Sequence, residues 1–149
     1  MDYGALDRVI SERLRDQIKQ DEGWSAHPYY DHLGYLTIGY GFLIDDRRRG
    51  NGMPREAGDL WLERELMLLH QRLTHALPWF DSAPDAVQEA LINMAYQMGV
   101  GGLLGFRKTL ARGEQGEWSA MADEALRSRW ATQTPKRARR VTDLIRSAG

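Results

Sequence analysis

Leu6, Ile10, Leu14 and Ile18 recur at every fourth position, with Val9 beside them, and the pattern stops at Gly23. That spacing lays one apolar stripe along a helix from about residue 4 to 22. Gly23 suits the left-handed position just past such a helix. The following "YYDHLGYLTIGYGF", residues 29–42, is rich in Tyr, Ile and Thr, and "DHLG" has the Asp-first, Gly-fourth pattern of a tight turn. A helix feeding a β-hairpin or small three-stranded sheet is the predicted start of the fold.

The stretch "DDRRRGNGMP", residues 45–54, has charge, Gly and Pro but no period, and reads as a loop. From Pro54 to Leu77 the helical pattern returns: Leu62, Leu66, Leu69 and Leu73 share a face, Leu60 and Trp61 add bulk, and Pro78 closes it. Shorter helices are predicted at about 84–98, 103–112, 115–128 and 136–147. Gly99, Gly101, Gly102 and Gly105 punctuate the first two, and "TQTP" at 132–135 breaks the chain before Lys136. The fold class expected is α+β, with a small β-hairpin lobe and a larger all-helical lobe joined by a long helix, and a ligand cleft between the lobes.

At 149 residues the chain has the length of one domain, and 42% hydrophobic with 28% charged residues is ordinary globular usage. With no cysteine it has no disulfide framework, thiolate nucleophile or thiolate metal site. The first residues carry Asp2 and Asp7 and no continuous apolar run, so neither a secretory signal nor a membrane span is expected. The net charge of −1 divides unevenly, +5 over residues 107–149 and −6 over residues 1–106. A basic C-terminal part suits a polyanion, although a run of this kind is also an ordinary solvated helix face. Aromatics do not interleave with its arginines, so no nucleic-acid partner is expected. His70 and His75 are five apart, off the spacing of paired helical ligands, and His27 and His32 lack companions, so no metal and no cofactor is expected.

Two carboxylates and a hydroxyl stand where helix gives way to sheet. Cleaving a glycosidic bond takes an acid that protonates the leaving oxygen and a second carboxylate that activates water or attacks the sugar. Glu22 falls in the last helical turn, where the negative end of the helix dipole opposes ionisation, as a general acid requires. Asp31 opens a polar turn and stays ionised. Thr37 shares a strand face with Tyr35, and its hydroxyl can donate to and accept from a water. Spacing alone does not separate this trio from a glutamate near a helix end and an aspartate in a turn with no catalytic part.

Three segments together resemble the phage-type lysozymes, the glycoside hydrolases related to the lysozyme of T-even bacteriophages. They are "DEG" with an Asp nine residues after the Glu and "GYLTIGYG" with its Thr six residues after that Asp, "AVQEALINMAYQMGVGGLLGF" at 86–106, and "SRWATQTPKRARRV" at 128–141. The resemblance spans about residues 5–146. It implies one lysozyme domain over 1–149, with a small lobe at about 15–55, a connecting helix at about 56–77, and a helical lobe from 1–14 and 78–149. It implies hydrolysis of the β-1,4 bond between N-acetylmuramic acid and N-acetylglucosamine in peptidoglycan, with Glu22 as general acid, Asp31 and Thr37 holding the attacking water, and inversion at the anomeric carbon.

Further roles come with the resemblance residue by residue. Leu43, Tyr96 and Thr109 match substrate-cleft positions, and Arg137 matches an arginine that pairs with the catalytic Glu. By spacing alone Tyr96 reads as core, Leu43 as sheet packing, and Arg137 as part of a solvated face with Lys136, Arg139 and Arg140. The chain departs from the pattern at Phe42, where the family usually has His, and at Glu124, where the T-even enzyme has a cleft asparagine. The segment from Ile44 to Met53 is shorter than in the T-even enzyme, and the last helix is trimmed at Gly149. Near-neutral net charge should make wall binding weaker and less salt-sensitive than that of the strongly basic T-even enzyme.

Two rivals stand beside hydrolysis. A lytic transglycosylase cuts the same bond with one acid and the muramic 6-hydroxyl, which leaves Asp31 and Thr37 unexplained, and an inactive peptidoglycan-binding module leaves the intact trio unexplained. The expected partner is bacterial peptidoglycan, the expected state a monomer. The expected setting is the host cytoplasm until a separate pore-forming membrane protein gives access to the wall, or the virion.

Overall fold

The computed structural model describes residues 10–44 and 52–149, which fall into two compact units meeting in sequence at Asp59 and Leu60. In the first, helix α1 runs Glu12–Glu22. It begins later than the apolar period predicts, because Ser11 is the N-cap: its hydroxyl accepts the Leu14 N–H at 3.1 Å. A serine that satisfies a free amide of the first turn fixes the helix start there, whatever the apolar stripe does upstream. Residues 4–9 of the predicted helix, and 45–51 of the predicted loop, lie outside the described residues. Ile10 precedes the helix, Leu14 and Ile18 are exposed, and no α1 residue is buried.

Gly23 ends α1 as expected, at φ 71° with its N–H donating to the Lys19 carbonyl at 2.9 Å. Three antiparallel strands follow in the order β1 (Ser25–Tyr30), β2 (Leu36–Gly39) and β3 (Phe42–Leu43). Tyr30 pairs with Leu36 and Tyr29 with Thr37, while Ser25 pairs with Gly39, so β1 bulges between Ser25 and Tyr29. Pro28 falls within that bulge on an edge strand, where its missing N–H interrupts no ladder.

Helix α2, Arg55–Ala76, is the long helix the leucine spacing predicts. Only its C-terminal part enters a core: Leu69 and Leu73 are buried, whereas Leu62 and Leu66 are exposed. The unit from Leu60 onward continues with α3 (Asp85–Leu104), α4 (Arg107–Glu114), α5 (Trp118–Leu126), α6 (Arg129–Gln133) and α7 (Pro135–Arg146). Phe80, Leu91, Met94, Leu103, Met121 and Ile145 are completely covered at its centre. Two boundaries differ from the predicted ones. Residues 103–104 belong to α3, whose helix is interrupted at Gly99 (φ 79°, ψ 160°), a conformation open essentially to glycine alone, and resumes through Gly101 and Gly102. Glycines between well-packed apolar residues therefore do not all break a helix.

The short α6 is absent from the sequence-based outline. Ser128 caps it by accepting the Ala131 N–H at 3.3 Å, and Trp130 anchors it, its indole N–H donating to Gln97 Oε1 on α3 at 2.9 Å. A buried indole needs such a partner, and the contact links residues 33 apart in sequence. Pro135 starts α7 in the first turn, where a proline loses nothing by lacking an N–H.

Candidate active site

Glu22 is the last residue of α1, held by the Gly23 cap beside the two-residue turn between β2 and β3. That turn comes very close. A Cβ on Gly41, which has φ 80°, would stand 2.7 Å from Glu22 Oε2. A side chain there would displace the Glu22 carboxyl group, and the backbone takes a left-handed conformation that costs other residues roughly 1–2 kcal/mol. The bare backbone of Gly41 thus lies against the Glu22 carboxyl group, and Glu22 is exposed to solvent.

Asp31 sits at the head of the β1–β2 turn and uses one oxygen to build it. Its Oδ1 accepts the N–H groups of Leu33 at 2.9 Å and Tyr35 at 2.8 Å. Its own N–H donates to the Tyr35 carbonyl at 2.8 Å, and Gly34 N–H donates to the Asp31 carbonyl at 2.9 Å. A carboxylate accepting two amide hydrogens is fixed in direction. Among the described residues, no hydrogen bond reaches Oδ2, which leaves that oxygen for solvent.

Thr37 is buried, 2% exposed, and its hydroxyl donates to the Tyr35 carbonyl at 2.9 Å. The hydroxyl proton is thereby committed, and toward a water this side chain offers lone pairs only. Across the sheet Thr37 pairs with Leu43, and paired residues of antiparallel strands share a face. Asp31, Thr37 and Leu43 are therefore tied to one small sheet, and Glu22 is tied to its second turn through Gly41.

Of the other site positions, Leu43 lies in the strand unit, and Tyr96, Thr109 and Arg137 belong to the helical unit. Tyr96 on α3 is 51% exposed, so the core-packing reading of its helical spacing does not hold. Thr109 on α4 is buried, and half-buried Leu43 lies in β3. Arg137 is not a loose member of a basic face: its Nε donates to Asn93 Oδ1 at 2.9 Å and a terminal NH₂ group donates to the Asn93 carbonyl at 3.2 Å. Lys136, Arg139 and Arg140 are exposed around it. Asn93, which sequence reasoning did not single out, holds Arg137 in this way; its only signal is that it lies one helical turn before Tyr96. Glu124 pairs with Arg127 at 3.1 Å. The Arg112 guanidinium is held above its ordinary value, first by its hydrogen bond to Glu117 at 2.8 Å and by that carboxylate's charge, with Glu124 adding a smaller effect.

No helix among the described residues is long and apolar enough to cross a membrane. The family model described as phage lysozyme matches residues 19–146. The chain is 31% identical to probable T4-type lysozyme 1 of Dictyostelium discoideum and 27% identical to probable T4-type lysozyme 2 of the same organism, in each case over 89% of this chain and 92% of the relative. It is 30% identical to the pre-baseplate central spike protein Gp5 of Enterobacteria phage T4, again over 89% of this chain but only 27% of that protein. A helix-end glutamate against a glycine turn, an aspartate-headed hairpin and a match along most of the sequence lead to one assignment: the chain belongs to the phage lysozyme family, and is a glycoside hydrolase of the lysozyme type.

Proposed function

We propose that this peptidoglycan hydrolase cleaves the β-1,4 bond between N-acetylmuramic acid and N-acetylglucosamine with inversion, and that Glu22, Asp31 and Thr37 carry the chemistry. The observation that carries the reading is the division of labour between the two carboxylates. Glu22 is exposed at a helix C-terminus with backbone against one oxygen, and protonates the leaving glycosidic oxygen. Asp31 keeps Oδ2 for the attacking water and takes its proton, while Thr37 accepts the water's second hydrogen and so turns an oxygen lone pair toward the anomeric carbon. Inversion requires the two carboxyl groups to stand roughly 6.5–9.5 Å apart around the sugar, leaving room for that water.

Leu43, Tyr96 and Thr109 are proposed to contact the glycan, and Arg137 to serve as the cationic partner of the catalytic acid. The chain acts as one lysozyme domain and as a monomer, without metal or cofactor. The biological role is bacterial wall lysis. The setting is either the virion, which similarity to a pre-baseplate central spike protein supports, or the host cytoplasm until a separate pore-forming protein gives access to the wall. Immunoblotting of purified particles distinguishes these settings.

Mass spectrometry of muropeptides released from purified peptidoglycan tests the reaction. Wild-type protein is expected to yield reducing muramic ends, and Glu22→Gln to yield none at equal folding. Anhydro ends, lighter by one water, would instead assign a lytic transglycosylase, and no product from folded wild-type protein on several walls would leave a binding module. Proton NMR of the nascent anomer checks inversion.

A further inference from the structure

Tyr29, Thr37 and Leu43 form a row across the three strands. Tyr29 pairs with Thr37 and Thr37 with Leu43, and paired residues of antiparallel strands carry their side chains on one face, with Cβ atoms about 4.5–5.5 Å apart. The middle of this row is the proposed water-holding threonine, one end is the proposed glycan contact, and Tyr29 closes the other end. The Tyr35 carbonyl ties the row to Asp31, since it accepts both the Asp31 N–H at 2.8 Å and the Thr37 hydroxyl at 2.9 Å.

The hydrogen-bonding capacity around Thr37 is one-sided. The Asp31 carboxylate only accepts, the Thr37 proton is held by the Tyr35 carbonyl, and Leu43 is apolar, so these three side chains offer an incoming molecule lone pairs and no proton. Tyr29 differs. Its ring is half-buried, its phenol can donate, and among the described residues its hydroxyl has no hydrogen-bond partner. No unpaired side-chain oxygen or nitrogen is buried among the described residues, so that hydroxyl reaches the surface. Beside Thr37 stands a ring with an uncommitted O–H group.

A sugar held against these acceptors also needs a donor. An N-acetylated amino sugar brings hydroxyl groups, which both give and take hydrogen bonds, and an acetamido carbonyl, which only takes them and loses most when left unpaired away from water. We propose that the Tyr29 hydroxyl donates a hydrogen bond to the acetamido carbonyl oxygen of the sugar bound over Thr37, which makes Tyr29 a substrate-binding residue of the hydrolytic site. The inference deepens the reading of the chain as a muramidase and rests on it for the identity of the sugar. Removing the acetyl group leaves an amine with no oxygen to accept, and so takes away the partner of Tyr29.

The experiment crosses one change in the protein with one in the ligand, using full-length protein in the Glu22→Gln background so that strands are bound and not cut. Tyr29→Phe removes a single oxygen and keeps the ring. The ligands are glycan strands freed of stem peptides by an amidase, with and without N-deacetylation, and competition against a labelled acetylated strand keeps weak binding measurable. On acetylated strands Tyr29→Phe is expected to bind roughly 3- to 10-fold more weakly, the range of one neutral hydrogen bond, and on deacetylated strands the two proteins should differ by less than about 2-fold. In the active protein the same substitution should lower kcat/KM on acetylated strands by a similar factor. Equal affinity of both proteins for acetylated strands overturns the inference. An equal loss on both kinds of strand also overturns it, because the oxygen would then act through packing or on another group, and a fall in Tm with unchanged affinity has the same meaning. A wild-type protein that releases reducing muramic ends while Tyr29→Phe binds acetylated strands normally would sink this inference and keep the proposed function. A wild-type protein that releases no product would sink the proposed function, and the crossed comparison would still decide whether the hydroxyl recognises the acetyl group.

Discussion

Asp31 holds a turn with one oxygen, and its other oxygen has the proposed part of activating water, so its substitutions separate two losses. Asp31→Asn retains an amide oxygen able to accept the Leu33 and Tyr35 N–H groups but lacks the charge that takes up a proton. It is expected to lower kcat by at least about 100-fold, in the range of general-base loss, with little change in Tm. Asp31→Ala removes both functions, and a further destabilisation of about 1–2 kcal/mol should appear in urea unfolding. Gly41→Ala meets two obstacles, the 2.7 Å approach to Glu22 Oε2 and the positive φ. It should cost about 1–2 kcal/mol and reduce activity more than stability, because the carboxyl group must shift. Equal kcat for Gly41→Ala and wild type would show that the turn does not position the acid. Glu22, Asp31 and Thr37 were legible in the sequence as candidates because glycosidic cleavage restricts its chemistry to few residue types. Gly41 and Asn93 were not, because their contacts depend on how a turn and a helix face fold back on groups distant in the chain.

At the scale of elements, period and capping carried unequal weight. The long helix α2 and the first turns of α3 and α7 follow directly from leucine spacing and proline placement. The start of α1 and the existence of α6 were decided instead by Ser11 and Ser128, single hydroxyls that fix where helical hydrogen bonding begins. Ser128→Ala should therefore destabilise the helical unit by about 1 kcal/mol, within the usual range for an N-cap, and urea unfolding checks this. An unchanged midpoint would show that Trp130 and its bond to Gln97 hold α6 alone. The interruption of α3 was legible as a glycine at 99, but not its consequence, since Gly101 and Gly102 look equally disruptive in sequence and are helical in the fold.

Across the whole molecule, buried apolar residues are concentrated between Leu69 and Ile145, while α1 buries none. Hydrogen exchange should follow this difference: amides of α3, α5 and α7 are expected to be protected most, and those of α1 least, as local opening exposes little apolar surface there. Uniform protection would contradict it. An ion pair between α5 and α7 adds a pH dependence. The Arg146 guanidinium, 2.6 Å from Asp123, holds that carboxyl below its ordinary value, first through their hydrogen bond. A depressed carboxyl contributes stability above its unfolded value and loses it as pH falls through the folded one. The Tm difference between wild type and Asp123→Asn should therefore be constant near neutrality and vanish well below pH ~4. The pair is exposed, so that difference is small and shrinks in salt.

The double duty of Asp31 also bears on how the protein can change over evolutionary time. A descendant released from selection for activity would be free to replace Glu22, whose side chain closes no turn, but replacing Asp31 by anything unable to accept two amide hydrogens would loosen the β1–β2 hairpin. Selection for folding alone thus preserves the aspartate. Among relatives of this chain, a retained aspartate at this position records an intact hairpin, and it is the glutamate proposed as the acid, at the end of α1, whose retention would track activity.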